Sequence, residues 1–346
     1  MESILGERTI RYQSFGEPAD VLRLERRTSP QPGTGEIRVR MSAQSINPSD
    51  LIPIRGAYAH RIQLPAVPGY EGIGVVEAVG RGAAPSLLGR RVLPLRGEGT
   101  WQDVVISPAE WAVPVPASIP DETAAQLFIN PVTAWVVCTE VLQLKPGDVL
   151  VMNAGGSALG TLIAQLSTLL GFRFLAVIRR AADAPRLYAA GAWYVLDDSQ
   201  LSDGRFKDRL AAVYELTGGQ GAAASVDCVG GQAGAELVAC TATGGTIVSL
   251  GLLSGQPVNL SLVAKDRVRV RLFHLRHWMQ HVPVETWQRT FQQMIGLVEQ
   301  KRFKLREIER SFELREVIQA VQAAEHPGRR GKILLHTRQT WKPGAW

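Results

Sequence analysis

A glycine-rich turn between an apolar segment and a helical pattern is the part of the chain whose residue types point most directly to chemistry. Gly155 and Gly160 hold the first and third places of a G-x-G-x-x-G template, and Ser157 holds the middle place. Small residues let the backbone approach a pyrophosphate, and the helix that follows offers N–H groups and the positive end of its dipole. Because a strand pattern precedes the turn and a helical pattern follows it, we predict a dinucleotide site. The alternative is a turn with a structural role only.

The choice of cofactor depends on the residues that end the next predicted strand. A site for NAD carries an acidic residue there, which holds the ribose hydroxyls. This strand ends on Arg179 and Arg180, and the first acidic residue is Asp183. Guanidinium groups bind a 2′-phosphate with paired donors and keep their charge. The pair therefore predicts NADPH, and the alternative is two exposed arginines with no ligand.

Around the glycine turn, apolar strand patterns alternate with helical patterns over residues 123–279. The predicted strands are Val149–Asn153, Phe174–Ile178, Tyr194–Leu196, Ser225–Val229, Thr246–Leu250 and Val268–Phe273. Gly171 is expected to end the helix after the turn, since a helix C-terminus favours a residue that adopts the left-handed conformation. Six such units predict the α/β fold class, with a Rossmann-type, doubly wound, parallel six-stranded sheet.

The flanking regions have a different character. Residues 1–122 contain short strand patterns separated by Gly and Pro, which predicts a β-rich, barrel-like domain. Its clearest strands are Glu36–Ile46, Gly72–Val79, Arg91–Pro94 and Gln102–Ile106. Residues 280–346 are predicted to be helical and then extended, with the extended segment Lys332–His336 returning to complete the first domain. A helical stripe there is interpreted as core-facing: Trp287, Phe291, Met294, Ile295 and Val298.

Composition excludes several classes of protein. The 346 residues suggest two domains, and the net charge of +6 is too small for this length to indicate nucleic-acid binding. No uninterrupted apolar run reaches about 18 residues, so no membrane-spanning helix is expected. The chain start has no secretory pattern, which predicts a cytoplasmic location. The three scattered cysteines indicate buried thiols rather than a disulfide framework.

Beyond these patterns, the chain resembles the medium-chain dehydrogenase/reductase superfamily over nearly its whole length. Within it, the resemblance is strongest to the mitochondrial-type 2-enoyl thioester reductases, whose neighbours are the quinone oxidoreductases. It rests on Ile46–Asp50, on Gly56–Tyr58 with Tyr58 eleven residues after Asn47, and on Leu64–Gly72, Gly99–Trp101, Asn130–Ala134, Asp227–Gly231, Gly244–Thr246 and Lys265–Asp266. The resemblance implies a GroES-like catalytic domain over residues 1–122, completed by 280–346, and a Rossmann NADPH-binding domain over residues 123–279.

The places that carry zinc ligands in zinc alcohol dehydrogenases hold other residues in this chain. They correspond to Asn47, Tyr70 and, approximately, Ile129, none of which is a usual zinc ligand. His274, His277 and His281 lie together but lack a further ligand cluster, so we interpret them as surface or pocket residues. The sequence thus predicts a zinc-independent enzyme with no metal site.

The resemblance also implies roles for particular residues. Tyr58 would be the proton donor, since a phenol is protonated at neutral pH. Asn47 would orient the substrate or the nicotinamide ribose, and Asn130 and Thr133 would lie near the nicotinamide. The remaining residues implied to bind the cofactor are Asn153, Gly155, Gly156, Ser157, Ala158, Leu159, Gly160, Arg179, Arg180, Gly251 and Phe273.

These roles predict NADPH-dependent reduction of an activated C=C bond, most specifically that of a 2-enoyl thioester. Quinone or small-enone reduction on the same scaffold is the first alternative, and a non-catalytic NADPH-binding relative is the second. The thioester carrier would be coenzyme A or an acyl carrier protein, bound with help from basic residues such as Lys301, Arg302 and Lys304; the alternative is that these residues form a solvated helix face. A homodimer is the family expectation, formed by edge strands near Thr246–Leu250 and Val268–Phe273.

Overall fold

The computed structural model of the protein describes residues 6–198, 205–251, 254–258 and 268–337, except for the side chains of residues 205–208. These residues form two compact units. The first contains residues 6–129, 283–301 and 305–337, and the second contains the described residues of 130–282 together with 302–304. The second unit begins inside a helix at Asn130, whereas the sequence predicts the change of character at residue 123.

Within the described residues, strands and helices are numbered here in chain order. The strands are β1 (Glu7–Arg11), β2 (Arg23–Arg27), β3 (Glu36–Ser45), β4 (Gly72–Val79), β5 (Arg91–Leu93), β6 (Val104–Pro108), β7 (Val113–Pro114), β8 (Val149–Met152), β9 (Arg173–Ile178), β10 (Tyr194–Asp197), β11 (Ala222–Asp227), β12 (Thr241–Ser249), β13 (Arg269–Leu272), β14 (Ile308–Glu313) and β15 (Lys332–His336). The helices are α1 (Pro18–Val21), α2 (Pro48–Ile54), α3 (Asp121–Ala124), α4 (Ile129–Val136), α5 (Ala158–Leu170), α6 (Ala184–Ala190), α7 (Arg205–Leu216), α8 (Gly231–Cys240), α9 (Leu275–His281), α10 (Val284–Glu299) and α11 (Val317–Glu325).

The main sheet of the first unit is built from both ends of the chain. Its order is β14-β15-β3-β4-β5-β7, and β6 also pairs with β3. Along β3 the buried side chains Ile37, Val39 and Met41 alternate with half-buried arginines, which is the period-two pattern of a strand with one face on a core. β15 lies antiparallel to β3, with Leu334 opposite Ser45. This pairing joins Lys332–His336 to the main sheet of the first unit.

Helix α10 packs an aromatic stripe into the core of the first unit. Trp287 and Phe291 are fully buried, and their ring centroids lie 4.9 Å apart. The Trp287 ring also meets Trp111 edge-on at 5.6 Å. Met294 is buried beside them, whereas Val298 is only half-buried. The predicted core-facing stripe is therefore confirmed over its first three turns.

The sheet of the second unit is parallel throughout and has the order β10-β9-β8-β11-β12-β13. This confirms the predicted six-stranded Rossmann sheet. Its central strand β8 is a continuous run of buried apolar residues, which is typical of a parallel strand covered on both faces. β12 lies inside the sheet, between β11 and β13, so the expectation of a sheet edge near Thr246–Leu250 was wrong. Strand neighbours are set by the path of the chain between strands, which a local pattern does not record.

Two expectations drawn from composition, on membrane-spanning helices and on cysteines, can be compared with the structure. In the described residues, no helix combines the length and apolar character needed to cross a membrane. The three cysteines are free thiols, and Cys138 and Cys240 are buried. Burial raises the pKa of Cys228 to about 12, so this thiol is a poor nucleophile at neutral pH.

Candidate functional site

The glycine turn lies where strand β8 leaves the sheet and helix α5 begins. Ser157 caps the helix, since its hydroxyl oxygen accepts the Gly160 N–H at 3.1 Å. At the other end of α5, Gly171 adopts a φ of 80° and its N–H bonds to Ser167 O. The predicted start and stop of this helix are confirmed. The helix N-terminus consequently faces the carboxyl edge of the sheet, where a phosphate group is favoured.

The turn passes its neighbours too closely for any side chain at its glycines. A Cβ on Gly155 would lie 2.7 Å from Ala176 Cβ, and one on Gly156 would lie 2.7 Å from the Asp183 carboxylate. A Cβ on Gly160 would overlap the carbonyl oxygen of Gly155. The backbone is thus bare along the turn, which fits a bound pyrophosphate. Ala158 and Leu159 form the first turn of α5, where backbone N–H groups lack partners within the helix.

The two arginines after β9 differ in their surroundings. Both Arg179 and Arg180 are exposed at the end of the strand. Arg180 forms an ion pair with Asp183 at 2.9 Å, and Arg186 pairs with the other oxygen of the same carboxylate at 2.9 Å. Arg186 also donates to Gly156 O at 2.9 Å. The first acidic residue after the strand is therefore neutralised by two guanidinium groups and is anchored beside the glycine turn.

The Asn153 side chain links the end of β8 to the end of β11. Its Nδ2 donates to Asp227 Oδ1 at 2.6 Å, and its Oδ1 accepts the Cys228 N–H at 2.8 Å. Asp227 is fully buried and also accepts the N–H groups of Val229 and Gly230. The predicted cofactor residue Asn153 therefore fixes the loop after β11 against the end of β8.

The other predicted cofactor residues lie at the same sheet edge or on α4. Gly251 follows the end of β12, and Phe273 follows β13 with its N–H bonded to Ser249 O. Because the strands are parallel, these positions share the carboxyl edge with Gly155 and Arg180. Asn130 and Thr133 stand three residues apart on α4 and are both half-buried, so they share one helix face.

In the first unit, Asn47 lies at the end of β3 and at the start of α2. It is only 2% exposed. Its backbone N–H is accepted by Asp50 Oδ2 at 2.7 Å, and its Nδ2 donates to Glu71 Oε1 at 2.7 Å. Its Oδ1 accepts a hydrogen bond from the Lys332 ammonium. The carboxamide expected to orient a ligand is thus held by charged groups of the protein.

Glu71 connects this point with the start of α4. It is 1% exposed, and its Oε2 accepts the Ile129 N–H at 2.8 Å and the Phe128 N–H at 3.3 Å. Gly69 precedes it with a φ of 96°, and a Cβ there would clash with Trp101 and Thr100. Only glycine allows this turn to bring the Glu71 carboxylate to its buried position.

Two further ionisable groups complete the cluster. Lys332 is 5% exposed, and its Nζ lies 3.8 Å from Glu71 Oε1. Burial lowers the pKa of Lys332, whereas Glu71 and Asp50 oppose that shift. Asp50 accepts the Tyr70 N–H at 3.1 Å, and burial raises the pKa of its carboxyl to about 7. Two carboxyl groups and one ammonium therefore share a single buried space.

Tyr58 lies beyond the short helix that starts at Asn47. It is half-buried and precedes a single helical turn at Ala59–Arg61. The Arg61 guanidinium lies over its ring, 3.8 Å from the centroid, which restrains the ring by a cation–π contact. The seven residues of α2 and the three residues after it thus separate the buried Asn47 from Tyr58.

Sequence reasoning did not assign Asp50, Glu71, Lys332 or Asp227 to the site. One signal was present for Lys332, because it opens a strand whose next three residues are apolar and buried. A lysine is almost never fully buried unless it is paired, so a lysine in such a strand indicates an internal partner. The identity of that partner depends on contacts that no local pattern contains.

Each of the two units contains residues that match a known protein family. Residues 33–117 match the family model described as the alcohol dehydrogenase GroES-like domain, and residues 158–300 match the one described as zinc-binding dehydrogenase. Within the described residues, no three His, Cys, Asp or Glu side chains are grouped so as to hold a metal ion. The residues that the resemblance assigns to the zinc-ligand places remain Asn47, Tyr70 and, approximately, Ile129.

Individual relatives cover most of the chain. A mitochondrial enoyl-[acyl-carrier-protein] reductase of Xenopus tropicalis is 35% identical over 283 residues, which are 80% of this chain and 79% of that protein. A Bacillus thuringiensis structure named for NADPH:quinone reductase has 46% identity and a TM-score of 0.93, covering 96% of this chain and 99% of its own. The Escherichia coli quinone oxidoreductase complexed with NADPH has 25% identity and a TM-score of 0.87, covering 95% and 99%.

These likenesses extend over both units. The chain therefore belongs to the medium-chain dehydrogenase/reductase superfamily, as an oxidoreductase of the enoyl and quinone reductase group that uses a nicotinamide cofactor.

Proposed function

We propose that this protein reduces the activated C=C bond of a 2-enoyl thioester with NADPH. The observation that carries the proposal is the placement of Tyr58, one short helix away from a buried and fixed Asn47. Relatives that are named enoyl-[acyl-carrier-protein] reductases match four-fifths of the chain. The resemblance of the Asn47–Tyr58 spacing to that branch supports the same acceptor class.

The second unit supplies the cofactor residues. Gly155, Ser157 and Gly160 would hold the pyrophosphate, and Arg179 and Arg180 would hold a 2′-phosphate. When bound, NADPH supplies the hydride that is added to the β carbon of the acceptor. Asn130 and Thr133 on α4 would lie beside the nicotinamide, where their side chains can orient the ring by hydrogen bonds.

The first unit handles the charge and the proton. Addition of hydride to the β carbon leaves an enolate on the acceptor, which requires hydrogen-bond donors near its oxygen and a proton for the α carbon. Tyr58 would donate that proton from its phenol oxygen. Asn47 would orient the substrate or the nicotinamide ribose from a side chain that Glu71 and Lys332 hold in place.

The test compares acceptors with purified protein by following NADPH absorbance. Oxidation of NADPH with crotonyl-coenzyme A would support the proposal. Turnover of quinones without turnover of crotonyl-coenzyme A would replace it with quinone reduction, which the 46% identical Bacillus thuringiensis protein favours. NADPH binding without turnover of any acceptor would instead indicate a non-catalytic relative.

Cofactor preference should depend on Arg180. We expect Arg180→Ala to raise the Michaelis constant for NADPH about tenfold and to leave that for NADH nearly unchanged, because the 2′-phosphate is the only part of the cofactor that this guanidinium is proposed to bind. Arg173→Ala is the matched control, since Arg173 is exposed at the opposite end of the same strand. Equal effects of Arg180→Ala on both cofactors would contradict the proposed NADPH site.

The carrier of the thioester is proposed to be coenzyme A or an acyl carrier protein. Lys301, Arg302 and Lys304 are exposed and positively charged, which suits phosphates or an acidic protein surface. Reversing these three charges is expected to raise the Michaelis constant for carrier-bound substrates only. An equal rise for a small uncharged enone would show that these residues do not recognise the carrier.

The protein is also proposed to form a homodimer through β13. Among the described residues this strand is the edge of the parallel sheet, and its Leu272 side chain is 82% exposed. Pairing two copies would satisfy the free strand edge and bury this leucine. Sedimentation equilibrium is expected to show two chains of 37.7 kDa per particle, and Leu272→Glu is expected to shift the particle towards one chain. A wild-type monomer would contradict the proposal.

A further inference from the structure

The buried cluster of Asn47, Asp50, Glu71 and Lys332 is unusual because it places three ionisable groups together in the interior of the first unit. All four residues are 5% exposed or less. An isolated charge is expensive to bury, so such groups persist only where partners satisfy them. The cluster joins α2, the segment before β4, and β15, which lie far apart in the chain.

Lys332 is the positively charged residue of the cluster, and it contacts both Asn47 and Glu71. It begins β15, and the next three residues, Ile333, Leu334 and Leu335, are buried apolar side chains. Its Nζ donates to Asn47 Oδ1 and lies 3.8 Å from Glu71 Oε1. The ammonium therefore balances Glu71 and, at longer range, Asp50.

The Asn47 carboxamide has a cation at one end and an anion at the other. Its oxygen accepts from Lys332, and its nitrogen donates to Glu71 at 2.7 Å. Rotation of the amide by 180° would place the NH2 group against the ammonium and the oxygen against the carboxylate. The charges thus select one orientation of Asn47 and exclude the other.

We propose that Lys332 is a positioning residue of the active site, whose ammonium fixes the Asn47 carboxamide and balances the two buried carboxyl groups beside it. The catalytic part of this proposal rests on the proposed reductase function, because it requires Asn47 to act at that site. The structural part, the fixing of the amide, does not depend on any acceptor.

The test uses the full-length protein and three variants of the cluster. Lys332→Arg keeps the positive charge, and Lys332→Met removes it. The double variant Lys332→Met/Glu71→Gln removes both members of the ion pair, so that it folds even if the single variant leaves a buried carboxylate unbalanced. Arg91→Met is the control, since it breaks an ion pair with Asp121 in the same unit without touching Asn47.

The first readout is the side-chain amide resonance of Asn47 in 15N–1H spectra, assigned by its loss in Asn47→Asp. In the wild type, Lys332→Arg and Arg91→Met, we expect a resolved NH2 pair that exchanges slowly with solvent. In Lys332→Met and the double variant, exchange should be at least about tenfold faster, because the amide is no longer held at its oxygen. An unchanged resonance in both variants would overturn the proposal.

The second readout is turnover with NADPH and whichever acceptor the wild type reduces. We expect kcat to fall at least about tenfold in Lys332→Met and in the double variant, with the Michaelis constant for NADPH within about twofold of the wild type. Lys332→Arg should recover most of the loss. A kcat of the double variant equal to that of the wild type would overturn the catalytic part.

A third readout is the pH dependence of unfolding. The charged groups facing Lys332 are Glu71, Asp50, Arg329 and Arg306. The raised pKa of Asp50, about 7, makes the folded state bind more protons than the unfolded state between about pH 4 and pH 7, so this group lowers stability as pH rises through that window. Lys332→Met removes a positive charge that favours the ionised carboxyl. We therefore expect the pH range over which stability falls to extend to higher pH in Lys332→Met, and not in Arg91→Met. The same window in both variants would contradict the charge-balancing role.

The outcomes separate the two proposals. If the wild type oxidises NADPH with none of the acceptors tested, the proposed function is overturned. The amide resonance and the unfolding data then decide the role of Lys332 on their own. An active wild type with unaffected Lys332→Met and double variants overturns Lys332 as a positioning residue and leaves the function standing.

Discussion

Replacing Tyr58 with phenylalanine is expected to slow the turnover of crotonyl-coenzyme A at least about a hundredfold, which corresponds to about 2.7 kcal/mol of transition-state stabilisation. The phenyl ring fills the same space but has no proton to give to the α carbon of the enolate. The Arg61 guanidinium lies over the ring, which phenylalanine keeps, so the local structure should survive the change. Initial rates at saturating NADPH measure the effect.

The control for this change is Tyr188→Phe, which removes a phenol hydroxyl from the second unit. Tyr188 is exposed, and its hydroxyl accepts the Val195 N–H at 3.2 Å. Its turnover is expected to stay within about threefold of the wild type, since the lost contact is a single hydrogen bond at the surface. A Tyr58→Phe rate as close to the wild type as that of the control would remove Tyr58 as the acid.

The second large effect is expected in Glu71→Ala, which should lower the free energy of unfolding. Removing this carboxylate leaves the buried Lys332 ammonium without its nearest negative charge and deprives the Ile129 N–H and Phe128 N–H of their acceptor. Breaking one partner of a buried ion pair typically costs about 3–5 kcal/mol, because an unbalanced charge stays in the interior. Urea unfolding followed by tryptophan fluorescence measures the loss.

Glu77→Ala is the matched control, because Glu77 lies on β4, just beyond Glu71, but on the exposed side of the strand. It pairs with Arg38 at 2.7 Å and with Arg40, and Glu77 itself is exposed whereas Glu71 is not. An exposed pair contributes about 0.2–1 kcal/mol, so its removal should have a small effect. Similar losses in the two variants would mean that the buried cluster does not contribute as its contacts indicate.

The second unit could be predicted well because its signals are local. The apolar run of β8, the small residues of the turn, and Gly171 at the end of α5 each follow from neighbours within about a dozen residues. Regular alternation of strands and helices then fixes the parallel sheet. The edge of the sheet was harder to predict, because the sequence patterns of β12 and β13 do not show that β12 lies inside the sheet and β13 at its end.

The site in the first unit was predictable only in part. The resemblance indicated Asn47 and Tyr58, but it gave no sign that Asn47 is held between Glu71 and Lys332. Asn153 had a comparable outcome, since its side chain bonds to Asp227, 74 residues away. Such pairings depend on tertiary contacts between distant segments, and a polar residue looks the same in the sequence whether it faces a ligand or an internal charge.

The position of Lys332 also bears on how the chain matures during synthesis. Asn47 and Lys332 are 285 residues apart, and β15 is the last described strand. When residues 1–129 have emerged from a ribosome, Asp50 and Glu71 have no ammonium to balance them, and β3 lacks one of its neighbours. The second unit contains all six of its strands by residue 272. We therefore expect the nucleotide domain to fold first on the nascent chain, and the β-rich domain to close only after its final segment is released.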